Sequence, residues 1–131
     1  EIIENFGFFE DWADRYRYLI SLGNDLPDFP KDKMTDENFV RGCQSQVWFY
    51  SEAQEDGRLR LYGTSDAAIV KGLMGLLLQV FNNQKPEDIL SADLAFIKKI
   101  GFDQHLSVTR SNGLHQMIKA MKKAAADNLV K

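Results

Sequence analysis

The chain has 131 residues, 44% of them hydrophobic and 27% charged, a composition that predicts one folded domain over 1–131 and excludes a disordered chain. Its net charge of −3 at pH 7 argues against nucleic acid as a partner, since phosphate-backbone binding needs a cationic face. One cysteine cannot close an internal disulfide, so a disulfide-stapled secreted scaffold is excluded.

No basic stretch followed by an apolar run opens the chain, so no signal peptide is expected. The longest apolar run, Ala67 to Phe81, is broken by Lys71 and Gln79 and is too short to span a bilayer. The expected compartment is the cytoplasm, with no membrane partner. Glu1 stands at the start in place of Met, which leaves open whether the chain is trimmed or cut from a longer protein.

Phe9, Trp12, Ala13, Tyr16 and Ile20 recur at helical spacing, with Glu10 and Asp11 in the first turn and Gly23 expected just past the end. Pro27 and Pro30 predict an extended surface segment over Asn24 to Lys33. From Phe39 to Tyr50 the residues become β-branched and aromatic, as in strands, with Val47 and Phe49 on one face and Trp48 and Tyr50 on the other. Asp56-Gly57 signals a hairpin turn into a second strand, where Leu59 and Leu61 alternate with Arg58, Arg60 and Tyr62. Ser65 is the expected cap of the next helix, with Asp66 favoured by its dipole. That helix, Ala67 to Phe81, is apolar nearly all round and therefore central. Pro86 starts a short helix through Leu90, and Leu94, Ile97 and Ile100 mark another, closed by Gly101. Leu114, Met117, Ile118 and Met121 form one stripe of a long last helix with lysines on its outer face. The order predicts an α+β fold, a small antiparallel sheet packed against helices.

Few residues offer chemistry. Cys43 follows Gly42 where the strand pattern begins, and a thiol near uncovered backbone amides can be held as the reactive thiolate. The plainer reading, a small buried hydrophobe, stays open beside it. Arg110 lies where the last helix starts, against the preference of the helix dipole, and is either functional or a solvated arginine paired to a carboxylate. A Cys–His pair with His105 or His115 is neither required nor excluded by spacing. Lys71 is expected to reach the surface along its stem rather than act as a base. No zinc-ligand spacing and no glycine-rich phosphate loop is present.

Several ordered blocks carry more. Gly42-Cys43-Gln44-Ser45-Gln46-Val47-Trp48, Ser65-Asp66-Ala67-Ala68-Ile69-Val70-Lys71-Gly72-Leu73, Gln104-His105-Leu106 and Arg110-Ser111-Asn112-Gly113-Leu114 resemble the signature blocks of the SufE family, which includes CsdE-like proteins. The segment Tyr16 to Gly23 is similar as well. The resemblance implies a sulfur acceptor that takes persulfide sulfur from a cysteine desulfurase of the SufS/CsdA type, stimulates that enzyme, and relays the sulfur toward iron–sulfur cluster assembly or another thiol acceptor. It implies a fold like that of IscU-type scaffolds. Carried onto this chain, the acceptor is Cys43, supported by Gly42, Gln44, Ser45, Asp66, Lys71, His105 and Arg110. No cofactor is expected on the chain itself, pyridoxal phosphate belonging to the desulfurase. The rival readings are a Cys–His hydrolase and a scaffold or interaction module. A cluster scaffold usually supplies several cysteine ligands, and only Cys43 is available.

Overall fold

The computed structural model describes residues 6, 11–40, 46–92, 97, 101, 106 and 108–129, with 108–110 described as backbone only. The first amphipathic segment forms helix α1, Trp12–Asn24. Asp11 caps it, its side chain accepting from the amide of Ala13 at 3.1 Å, which satisfies one of the donors left over in a first turn. Gly23, expected beyond the helix, lies inside its last turn and is buried. An ideal Cβ on Gly23 would come 2.8 Å from the amide nitrogen of Gly72, so the glycine serves a close helix crossing rather than a stop.

The segment after α1 is less extended than the prolines suggest. Asn24 still belongs to the helix, and single 3-10 turns form at Lys31–Lys33 and Asp36–Asn38. The strand pattern resolves into β1, Val47–Ala53, and β2, Leu59–Ser65, paired antiparallel from Val47 opposite Ser65 to Ala53 opposite Leu59. The turn between them is the expected one: Gly57 takes φ 87°, its amide bonds the carbonyl of Gln54 at 3.0 Å, and the amide of Gln54 bonds the carbonyl of Arg58 at 2.8 Å. A left-handed residue at that point suits glycine. Arg58 thus belongs to the turn and not to the strand.

Alternation sends Val47, Phe49, Leu59 and Leu61 into the core. The opposite face carries Tyr50 stacked on Tyr62 with centroids 4.6 Å apart. The 25–40 segment lies over that face, Phe29 meeting Tyr50 edge-on at 5.3 Å and Phe39 meeting Trp48 at 5.5 Å. Desolvation there, then Glu52, Tyr62 and Asp32, holds the Tyr50 hydroxyl above its ordinary range.

Helix α2, Ala68–Phe81, is the centre of the domain, with nine buried residues. On one side an ideal Cβ at Gly72 would fall on the carbonyl oxygen of Leu19 in α1. On the other side the Met74 side chain fills the space over Gly63 of β2. The helix starts one residue later than expected. Ser65 is the last residue of β2, and the cap position is Ala67, whose amide bonds the Ser65 hydroxyl oxygen at 3.2 Å.

Beyond α2 the chain turns back along the outer edge of β2. The Asn82 side chain accepts from the Leu61 amide at 2.8 Å, the Leu59 amide bonds the Gln84 carbonyl at 2.9 Å, and the Asn83 amide bonds the Leu59 carbonyl at 2.9 Å. Pro86 then opens helix α3, Pro86–Ser91, as its missing N–H predicts. The helix expected from Leu94, Ile97 and Ile100 falls mostly outside the described residues; Ile97 is helical and Gly101 takes φ 89°.

The last helix, α4, spans Val108–Leu129. Leu114, Met117, Met121 and Ala125 face the core, with Ile118 half-buried. Lys119 and Lys123 are exposed as expected, but Lys122 is half-buried and its Nζ donates to the carbonyl of Leu90 in α3 at 3.2 Å. The architecture is α+β, a two-stranded antiparallel sheet packed against helices. No helix among the described residues is long and apolar enough to cross a membrane.

Candidate functional site

The sequence-derived site centres on Cys43, and its neighbourhood is built from the sheet end. Cys43, Gly42, Gln44, Ser45 and His105 lie outside the described residues. The residues that flank the 41–45 segment, Val40 and Gln46, are described, and both are tied to the sheet. On the entry side the Val40 amide donates to the Val47 carbonyl at 2.8 Å, and Phe39 bridges antiparallel to Trp48. On the exit side Gln46 faces Asp66 across the strand ends. The Asp66 amide bonds the Gln46 carbonyl at 3.2 Å, and the Gln46 amide donates to Asp66 Oδ1 at 3.0 Å.

That second bond departs from the regular ladder. In a hydrogen-bonded antiparallel pair the two opposed residues exchange both N–H···O=C bonds. Here the Asp66 carboxylate takes the place of its backbone carbonyl as acceptor. Asp66 is thereby placed at the base of the 41–45 segment, not as a dipole-stabilising charge alone. No local signal could have shown this, because the partners are twenty residues apart in sequence.

Lys71 is half-buried on α2, its amide bonded to the Ala67 carbonyl at 2.8 Å. It shares no hydrogen bond or ion pair with Asp66. Arg110 is the third residue of α4 by its backbone, where the helix dipole disfavours a cation. His115 is exposed on the same helix. Among the described residues, no three His, Cys, Asp or Glu side chains could hold a metal ion together.

Replacing Asp66 by alanine removes the acceptor of the Gln46 amide and should cost about 1 kcal/mol, the worth of one exposed hydrogen bond. Asp66→Asn keeps a side-chain oxygen and should retain most of it. Amide exchange reads this directly: Gln46 exchanges faster in the alanine variant and near its normal rate in the asparagine one. Unchanged Gln46 exchange in Asp66→Ala contradicts the tie.

The geometry defines an α+β domain in which Val40 and Gln46, the residues on either side of the cysteine-bearing 41–45 stretch, are hydrogen-bonded into a small sheet. The domain described as "SufE: Fe-S metabolism associated domain" matches residues 1–125. An uncharacterized SufE-like protein of Rhizobium meliloti (strain 1021) is 44% identical over 133 aligned residues, covering 98% of this chain and 95% of that protein. Another, from Rhizobium etli, is 40% identical over 129 residues, covering 95% and 87%. The solution structure of a hypothetical protein from Thermus thermophilus superimposes with a TM-score of 0.81 over 98% of this chain and 93% of that one, at 21% identity, which is a likeness of fold. The chain belongs to the SufE family, and through it to proteins associated with iron–sulfur metabolism.

Proposed function

We propose that this protein is a sulfur acceptor and carrier that works with a pyridoxal-phosphate cysteine desulfurase of the SufS/CsdA type. The observation that carries the reading is family membership across nearly the whole chain together with a lone cysteine, Cys43, in a block that resembles the family's acceptor block. In the transfer step the Cys43 thiolate attacks the terminal sulfur of the desulfurase persulfide. The new S–S bond forms on Cys43, the old one breaks, and the desulfurase cysteine leaves as a thiolate. The persulfide then passes to an iron–sulfur scaffold or another thiol acceptor, and the chain itself carries out no turnover. The bonds that hold the flanking residues Val40 and Gln46 to the sheet support the reading, because a carrier must present one thiol in a repeatable position. The cytoplasm, where thiols stay reduced, is the compartment that suits such a carrier.

The functional test is desulfurase turnover in the presence of a thiol reductant. Addition of this protein should raise the rate, and no rise with its own organism's SufS/CsdA-type desulfurases would overturn the proposal.

Arg110 has a role in the same proposal: its guanidinium favours the Cys43 thiolate and the bound persulfide anion. A nearby cation lowers a thiol pKa, so Arg110→Ala should move the midpoint of Cys43 alkylation to higher pH. Less thiolate then exists at neutral pH, and sulfur transfer should slow several-fold. Stability should change by no more than about 1 kcal/mol, because the residue opposes its helix dipole. A folded variant with an unchanged alkylation profile and transfer rate removes Arg110 from the site.

A further inference from the structure

We propose that the free edge of β1, with the groove beside it, docks an extended acidic segment of a partner protein. The inference does not depend on sulfur transfer. It begins with the sheet's hydrogen-bond parity. The Gln54–Arg58 and Gln46–Asp66 pairs fix which residues point their backbone groups across to β2. By alternation the even-numbered residues of β1 face β2, and Val47, Phe49, Ser51 and Ala53 turn theirs outward.

Each outer edge of the sheet is covered over only part of its length. Along β2 the outward groups of Leu59 and the Leu61 amide are all bonded by residues Asn82 to Gln84. Along β1 the cover stops early: Val40 bonds Val47 and Phe39 bridges Trp48. Beyond that, the N–H and C=O groups of Ser51 and Ala53 have no partner among the described residues. Open strand edges are usually blunted by a charge, a proline or a bulge on the strand itself. Here the positions are Ser and Ala, which block nothing.

This edge opens into a groove of about 910 Å³ between β1, the Lys33–Val40 stretch and α4. The α4 wall includes the small side chains of Ala120 and Ala124. Lys119 and Lys123, one turn apart on that wall, and Lys33 opposite them put three ammonium groups around the groove against the carboxylates of Glu37 and Asp127. None of the three lysines forms an ion pair among the described residues, and Lys33 Nζ lies 5.6 Å from the Tyr50 ring centre. A net positive groove in a chain of net charge −3 selects an acidic segment. Main-chain bonds to Ser51 and Ala53 supply the binding, and lysine contacts supply the choice of partner.

The test uses the full chain, isotopically labelled, titrated with two synthetic peptides: acetyl-Glu-Val-Glu-Val-Glu-amide and the same peptide with lysine for glutamate. The acidic peptide should shift resonances of Ser51, Ala53, Lys119 and Lys123 and slow exchange of the Ser51 and Ala53 amides. The lysine peptide should not. Ser51→Pro removes an edge donor and should weaken binding. Lys119→Glu with Lys123→Glu, on an exposed helix surface, should weaken it by roughly tenfold or more while preserving the fold. No binding at millimolar peptide, equal binding of both peptides, or shifts elsewhere would overturn the proposal. So would concentration-dependent protection of Ser51 without peptide, which would assign the edge to a second copy of this chain.

Discussion

Replacing Gly72 by alanine should destabilise the protein by about 1–3 kcal/mol, the usual cost of forcing a methyl into a full core. Helix propensity alone predicts the reverse, because alanine in a helix interior is favoured over glycine by roughly 1 kcal/mol. The packing term wins because the obstacle is backbone. A Cβ at Gly72 would meet the Leu19 carbonyl oxygen and carbon, and a carbonyl cannot rotate away as a side chain can. Relief requires α1 and α2 to separate, which also loosens Leu19, Leu22 and Leu73, all buried. The midpoint of urea unfolding should fall with little change in slope. An unchanged or higher midpoint contradicts the close crossing described for these helices.

Replacing Cys43 by serine should abolish stimulation of the desulfurase altogether, leaving the rate of that enzyme alone. The proposed step needs a sulfur nucleophile that can form and release an S–S bond, and a serine hydroxyl does neither at neutral pH. No other cysteine exists in the chain, so no substitute thiol can rescue the variant. Circular dichroism and unfolding midpoint provide the folding control. Full stimulation by a folded Cys43→Ser protein would mean that the chain acts by contact and not by accepting sulfur.

How far the sequence alone led depended on whether the cause was local. The hairpin followed from Asp56-Gly57, the short helix from Pro86, and the central position of α2 from its unbroken apolar run; each rests on neighbours in sequence. Gly23 was misleading because a glycine near a helix end usually stops the helix, whereas here it admits Gly72. Ser65 and Asp66 carry the right side chains for a cap, but the strand claims Ser65 and the Gln46 amide claims the Asp66 carboxylate. The inward turn of Lys122 likewise needs the Leu90 carbonyl, 32 residues away in sequence. In the candidate site, the acceptor block was legible as a family pattern. The tie that anchors its far end was not, because it exists only once both strands are paired.

The most direct measurement is the intact mass of this protein after incubation with cysteine and a SufS/CsdA-type desulfurase. The account predicts a gain of one sulfur atom, mapped to Cys43 and removed by a thiol reductant. No gain on Cys43, while the same desulfurase loads sulfur onto a small-molecule thiol, would contradict it.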